Sequence, residues 1–92
     1  MSEDPDARRC WLVERSYDDR NLITLVYATP DGTQQLRKEQ SAVVMHQGRS
    51  TVTAAVDVAP GDLAPVEDGE TRERYALEAT RTAESYEPDE EI

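Results

Sequence analysis

The clearest alternation of side chains lies between residues 22 and 39. Residues 22–28 carry apolar side chains at both odd and even positions, which predicts a strand that needs cover on both faces. Residues 29–32 then suit a tight turn, because Pro30 presets φ and Gly32 accepts a positive φ. A second strand from residue 33 to about 39 completes a predicted central hairpin.

Two more strands are predicted around this hairpin. Residues 10–17 form the first strand, and a short turn over 18–21 joins it to the hairpin as an antiparallel meander. Alternating valine and alanine predict a fourth strand over 50–58. The segment 39–48 leaves two alternatives: the strand continues, or Ser41 caps a short helical turn over 41–46, which we favour.

One long helix is predicted near the end of the chain. Asp68 is a candidate N-cap, the helix covers about 70–86, and Pro88 ends it. Its apolar stripe consists of five residues: Tyr75, Ala76, Ala79, Ala83 and Tyr86. Leu77 lies off this stripe, either as a lone exposed leucine or as a contact with another chain.

These elements predict an α+β fold. We expect one small four-stranded antiparallel sheet with one amphipathic helix packed on one face, within a single domain over residues 10–86. The proline-rich connection before the helix is expected to be held to the core by Leu63 and Val66. The acidic segments 1–9 and 87–92 are expected to be a disordered arm and a disordered tail.

The charge balance then changes the picture of the surface. The chain has 20 acidic and 10 basic residues, for a formal net charge of −10, and Lys38 is its only lysine. Acid-rich, lysine-poor surfaces stay hydrated in molar salt, where their self-repulsion is screened. We therefore hypothesise a halophilic source, with an ordinary acidic mesophilic protein as the alternative. A charge that adapts the chain to salt says little about its partners.

The residues offer little catalytic chemistry. One cysteine and one histidine exclude an internal disulfide and give no convergent metal-ligand set. Cys10–His46 or Ser41–His46 could pair in principle, but no supporting motif surrounds them. We expect a protein that is not an enzyme and has no cofactor. Without a long apolar run the chain predicts no membrane span and no signal peptide, so a cytoplasmic location is expected.

Two sets of residues are candidates for binding. Ile23, Leu25 and Tyr27 share one face of the second strand. These residues, or the opposite set, need cover from the segment 39–48, from the loop through Leu63 and Val66, or from a partner subunit. Together with Leu77, these three residues of the second strand are candidate contacts in a homodimer or with another protein. The candidate phosphate contacts are Arg37, Lys38 and Arg49. Nucleic acid is the less favoured partner, because basic and aromatic residues do not alternate here.

Three segments carry a family resemblance: residues 25–32, residues 52–56, and residues 63–68 running into 71–76. Here the chain resembles short haloarchaeal proteins that form a family of unknown function. Gly69 departs from that pattern, because a proline often follows the capping aspartate in the family. The resemblance implies a halophilic archaeal source and brings no activity, cofactor or site residue. The prediction is a non-enzymatic interaction or accessory module; the alternative is a nucleic-acid-associated or regulatory protein.

Overall fold

A computed structural model describes residues 6–41 and 52–92 of the chain. Within these residues, five strands form one sheet and a single α-helix follows them. The elements in chain order are β1 Arg8–Tyr17, β2 Leu22–Ala28, β3 Gln34–Ser41, β4 Ala55–Val58, a 3₁₀ turn Pro60–Asp62, β5 Ala64–Pro65 and α1 Gly69–Ser85. The α+β class and the antiparallel meander of β1, β2 and β3 are confirmed.

The sheet has five strands, where the sequence predicted four. Its order is β4-β1-β2-β3-β5, and every neighbouring pair is antiparallel. The additional strand, β5, has two residues and pairs Ala64 with Gln35 and Pro65 with Gln34 of β3. So short a strand leaves no periodicity in the sequence, and a proline is compatible with a strand only at a sheet edge. The pattern therefore could not reveal β5.

Three strand boundaries also differ from the prediction. Strand β1 begins at Arg8, which pairs with Val58, so part of the expected arm is regular structure. Strand β3 runs on to Ser41, which pairs with Leu22, where the sequence predicted an end at about residue 39. The rest of the predicted turn over 41–46 lies outside the described residues. Strand β4 begins only at Ala55, later than the predicted residue 50.

The sheet buries apolar side chains on both faces. Helix α1 lies on the face that carries Trp11, Val26 and Ala28, and it contributes Tyr75 and Ala79 to that core. The opposite face carries a second apolar cluster, formed by Cys10, Leu12, Ile23, Leu25, Tyr27, Val52 and Val58. The apolar residues on both sides of β2 therefore form two core layers, as a strand covered on both faces requires.

Helix α1 begins as the sequence predicts. The Asp68 carboxylate accepts a hydrogen bond from the Thr71 backbone N–H at 3.0 Å, so Asp68 is the N-cap. The predicted stripe is right at Tyr75 and Ala79, which are buried, but Ala83 and Tyr86 are exposed. In the last turn it is Thr82 that meets the sheet, where its hydroxyl donates to the Leu12 carbonyl at 2.8 Å.

Residues 87–92 are paired with the chain, in contrast to the disordered tail that the sequence predicts. The Ala54 and Ala55 amides donate to the carbonyls of Glu90 and Pro88, each at 2.9 Å, and the Ile92 amide donates to Val52 at 2.8 Å. The amides next to an edge strand need acceptors, and the tail supplies them. Composition alone could not reveal this pairing.

The central hairpin is closed by side chains of its own turn. The Gly32 amide donates to the Thr29 carbonyl at 2.8 Å, and Gly32 has the positive φ of 74° that the turn predicts. The Asp31 carboxylate accepts hydrogen bonds from the Thr29 hydroxyl at 2.6 Å and from the Thr33 amide at 3.0 Å. These bonds fix the turn on which β2 and β3 meet.

Helix α1 lies directly against this turn. A Cβ atom placed on Gly32 would overlap the Arg72 carbonyl oxygen and would lie 2.8 Å from the Ala76 nitrogen. Both neighbours are helix backbone, which cannot move aside as a flexible side chain can. Position 32 therefore needs glycine for two reasons, the positive φ and the closeness of α1.

We expect Gly32→Ala to lower the free energy of unfolding by at least about 2 kcal/mol, because it combines a strained φ with overpacking. The matched control is Gly61→Ala, since a Cβ at Gly61 meets no atom within 4 Å. That variant should stay within about 0.5 kcal/mol of the wild type, as exposed substitutions usually do. Urea unfolding followed by circular dichroism measures both. Equal effects of the two variants would contradict the close approach of turn and helix.

Candidate functional site

Three of the four residues predicted to contact a partner are buried by the chain itself. Ile23, Leu25 and Tyr27 are 2 %, 1 % and 2 % exposed. Val58 of β4 belongs to the same apolar cluster, and Leu63 of the loop before β5 packs against it. Of the sources of cover that the sequence left open, the loop contributes Leu63 to this face, whereas Val66 of the same loop lies in the cluster on the other face. These three side chains are core residues in this structure.

Leu77 is the fourth candidate, and it is 52 % exposed. It follows the buried Tyr75 by two residues, which is about 200° around an α-helix. Its side chain therefore lies on the side of α1 that faces away from the sheet. A single exposed leucine is common on protein surfaces, and at this position its side chain is accessible to a partner.

Charged and hydroxyl side chains surround Leu77 on this outer face. The positions three and four residues away along the helix are Glu73, Arg74, Thr80 and Arg81, all of which are exposed. We call Leu77 with Glu73, Thr80, Arg81 and Glu84 the outer helix patch. An apolar centre with a polar rim is the usual composition of a small protein-binding surface.

Local ion pairs fix the positions of two of the side chains around Leu77, those of Arg74 and Arg81. Arg81 donates to the Glu78 carboxylate at 3.1 Å on the same helix. Arg74 pairs with Glu14 of β1 at 3.4 Å, and its guanidinium carbon lies 5.3 Å from the centre of the Tyr75 ring. Such exposed pairs contribute little energy in salt, but they orient the two arginines beside Leu77. Charge at the rim is therefore partly neutralised.

Two of the three predicted phosphate contacts are exposed on β3. Arg37 and Lys38 are neighbours in a strand, so their side chains project to opposite faces of the sheet. Arg37 lines an open groove of about 520 Å³ with Tyr75 and Asp62. Lys38 lines another of about 450 Å³, together with Val58. The third candidate, Arg49, lies outside the described residues.

Arg37 and Lys38 differ from most of the other described basic residues because they form no ion pair with a carboxylate of the described residues. Within the described part of the chain, four arginines pair with carboxylates: Arg9, Arg20, Arg74 and Arg81. Over the same residues Arg37 and Lys38 form no such pair. The structure therefore leaves both available for an anionic ligand, although it directs them to two different faces.

Cys10 has the surroundings of a structural thiol. Its side chain is completely buried in the second core cluster, and its Sγ donates to the Arg8 carbonyl at 3.7 Å. Burial, followed by the charge of Asp57, raises the pKa of the thiol to about 11. A neutral buried thiol is a poor nucleophile. His46, with which Cys10 or Ser41 could pair in principle, lies outside the described residues.

Each described carboxylate with a shifted pKa accepts hydrogen bonds from residues close to it in the sequence, either in a turn or at the start of helix α1. Hydrogen bonds to the carboxylate lower the pKa of three aspartates, Asp18, Asp31 and Asp68. The main donors are the Arg20 amide and then the Leu22 amide for Asp18, and the Thr29 hydroxyl and then the Thr33 amide for Asp31. For Asp68 the donor is Thr71, through its hydroxyl and its amide. A folded-state pKa below the unfolded one stabilises the fold above the ordinary pKa of 3.8. That contribution is lost as the pH falls through the folded-state pKa.

In residues 6–41 and 52–92, no three His, Cys, Asp or Glu side chains lie close enough together to hold a metal ion. No helix in this part of the chain is long and apolar enough to cross a membrane.

Comparison with known proteins gives a family and no activity. A search of curated proteins and a search of solved structures each found no match. One family model, described as a family of unknown function (DUF7967), matches residues 4–92, which is nearly the whole sequence. The chain belongs to this family, DUF7967, whose function is unknown.

Proposed function

We propose that the protein is a small, non-enzymatic accessory module that binds another protein through the outer helix patch. The observation that supports this is the exposure of Leu77, at 52 %, in the centre of the charged outer face of α1. The other predicted protein contacts are core residues, so the patch is the surface on which a partner would bury an aliphatic side chain. The buried, neutral Cys10 thiol is consistent with a role other than catalysis.

A second copy of the chain is the simplest partner. In a two-fold contact the same patch faces itself, so one exposed leucine per chain brings two leucines together. Burying one leucine side chain contributes about 1.5–3 kcal/mol, which on its own supports only weak association. Rim charges of both signs, such as Glu73 and Arg81, can pair across the two-fold axis. The expected homodimer is therefore weak and centred on Leu77.

We expect Leu77→Ala to weaken self-association at least about fivefold, because it removes most of the buried apolar area without changing charge. Leu77→Glu should weaken it further. Thr80→Ala is the matched control: it truncates an exposed residue of the same patch whose hydroxyl bonds only to the Ala76 carbonyl of its own helix. Sedimentation equilibrium in concentrated KCl measures all four proteins.

Two results would contradict this proposal together. One is a wild-type protein that remains monomeric at about 1 mM, where even weak specific contacts are populated. The other is a photo-crosslinking side chain at position 77 that captures the same host proteins, in the same amounts, as one at position 80. A monomer with selective capture at position 77 would leave the accessory role intact and replace the homodimer with a different partner protein.

We also propose that the module works in the concentrated-salt cytoplasm of a halophilic archaeon. The net charge of −10 and the single lysine support this, together with the resemblance of residues 25–32 and 52–56 to haloarchaeal proteins. Each charged side chain in the outer helix patch would then act through screened, short-range contacts.

The free energy of unfolding should therefore rise between about 0.2 M and about 3 M KCl, because salt screens the carboxylate repulsion that opposes the compact state. Urea titrations at several KCl concentrations measure this dependence. Sucrose at matched osmolality is the control, since it is excluded from the protein surface but does not screen charge. Equal stability at low and high KCl, or the same gain from sucrose, would contradict the adaptation to salt.

Nucleic-acid binding is the second candidate function. The observation that favours it is that Arg37 and Lys38 are exposed and form no ion pair within the described part of the chain. Arg49, eleven residues after Lys38, is the third cation of this hypothesis. The overall negative charge opposes a polyanion, so this function ranks below protein binding.

If this second function holds, Arg37→Gln with Lys38→Gln should lower the affinity for a nucleic acid and reduce its salt slope by about 2. Arg20→Gln with Arg81→Gln is the matched control, because it removes the same charge from two arginines that already pair with carboxylates. Fluorescence anisotropy over the KCl range in which the chain stays folded measures both. Equal losses in the two variants, or no wild-type binding, would remove this function.

A further inference from the structure

Residues 87–92 lie along the edge of the sheet beside β4, and we call them the strap. We propose that the strap is a salt-dependent latch: it docks on residues 52–55 when its carboxylates are screened and detaches when the ionic strength falls. The proposal does not depend on the outer helix patch, since the bonds that dock the strap are made to Val52, Ala54 and Ala55 at the sheet edge.

Three backbone hydrogen bonds dock the strap. The Ala54 amide donates to Glu90, the Ala55 amide to Pro88, and the Ile92 amide to Val52, at distances of 2.8–2.9 Å. Thr53 and Glu91 form an antiparallel bridge in the same stretch. These contacts place the strap against the chain just before β4, at the edge of the sheet, although the strap follows the helix in the sequence.

The strap also carries one apolar anchor. The Ile92 side chain is partly buried and packs against both core clusters, the one that contains Val52 and the one that contains Ala54. One cation reaches the same place, since the Arg15 guanidinium donates to the Ile92 backbone oxygen at 3.2 Å. Docking therefore combines backbone pairing with the burial of a single aliphatic side chain.

The shape of the strap is set by its own residues. The Glu90 amide donates to the Glu87 carbonyl at 3.1 Å, and the Glu87 amide donates to the Glu90 carboxylate at 3.4 Å. Tyr86, which joins the strap to α1, has the extended backbone angles φ −137° and ψ 151°. The strap is thus a turn that is closed by its own hydrogen bonds, and the extended residue Tyr86 joins it to α1. The strap can therefore leave the sheet edge without unwinding the helix.

Charge opposes this docking. Four of the six strap residues are exposed acids: Glu87, Asp89, Glu90 and Glu91. Asp57 of β4 lines the same small cavity as Asp89, and its own partner is Arg9 at 3.5 Å. Within the described residues, Arg15 is the one cation that bonds to the strap. The strap therefore brings four negative charges to an edge where Arg9, which lines the same cavity as Asp89, already pairs with Asp57.

Salt changes the range of that repulsion more than it changes the docking contacts. The Debye length is about 30 Å at 0.01 M and about 3 Å at 1 M, so at low salt all four carboxylates repel one another and the acidic body. Backbone hydrogen bonds and apolar contacts are short-range and keep their strength. A peripheral segment that is held by few contacts opens locally before the whole fold does.

Amide hydrogen exchange of the full chain, followed by NMR from about 0.2 M to about 3 M KCl, tests the latch. The reporting amides are Ala54, Ala55 and Ile92, which make the docking bonds. The reference amides are Thr29 and Val66, which bond to Gln34 and Thr33 elsewhere in the fold. Protection of the reporting amides should rise at least about tenfold more than that of the reference amides.

Two triple variants separate local from global effects of charge. Glu87→Gln, Asp89→Asn and Glu91→Gln leave the Glu90 hydrogen bond in place and should keep the strap docked at low salt. Asp19→Asn, Glu39→Gln and Glu67→Gln remove the same charge from exposed sites that lie neither in the strap nor in the outer helix patch, and should leave the salt response of the strap unchanged. Three results would overturn the latch: hydrogen-exchange protection of the reporting amides that does not depend on salt, the same salt response in both triple variants, or an equal loss of protection in the reporting and the reference amides.

Discussion

The close approach between the hairpin turn and helix α1 is the constraint on which the rest of the fold depends. Gly32 lies against the backbone of Arg72 and Ala76, at a distance that no side chain permits. The contact is between two rigid backbones, so it fixes where the helix crosses the sheet. Once it is made, Tyr75 falls over Val26 and Ala28, and Ala79 falls beside Trp11 one turn later. The turn thus determines which face of the helix is buried.

The same placement determines what the helix presents to solvent. With Tyr75 and Ala79 facing the sheet, Leu77 must face outward. Thr82 reaches the Leu12 carbonyl, which leaves Ala83 on the exposed side although the hydrophobic pattern includes it. A helix that crosses a twisted sheet stays close to it over only part of its length. The apolar stripe that ideal helix periodicity predicts is therefore wrong in the last turn. The outer helix patch is therefore a consequence of core packing.

Sequence reasoning succeeded where the relevant interactions are local. The hairpin turn, the Asp68 cap and the start of α1 depend on residues within a few positions of one another, and each was predicted. It failed where backbone groups pair across long separations. Strand β5 and the docked residues 88–92 have almost no side-chain pattern, because their pairing uses amides and carbonyls that every residue has. Candidate contacts failed for a related reason: an apolar face such as that of Ile23 and Leu25 looks the same whether its cover comes from its own chain or from a partner.

The two edges of the sheet are the reason why we propose the helix, and not the sheet, as the surface for a partner. Beyond β3, the pair Ala64–Pro65 occupies part of one edge, and Pro65 has no amide to offer to a further strand. Beside β4, the amides of Ala54 and Ala55 are already paired with Pro88 and Glu90. At both of these described stretches the chain uses its own backbone to occupy the positions where another strand would add. An approaching protein meets carboxylates there, such as Asp89 and Glu91, whereas on α1 it meets an aliphatic side chain between charges of both signs. Binding energy from apolar burial is therefore available on the helix, and specificity can come from the charged residues around it.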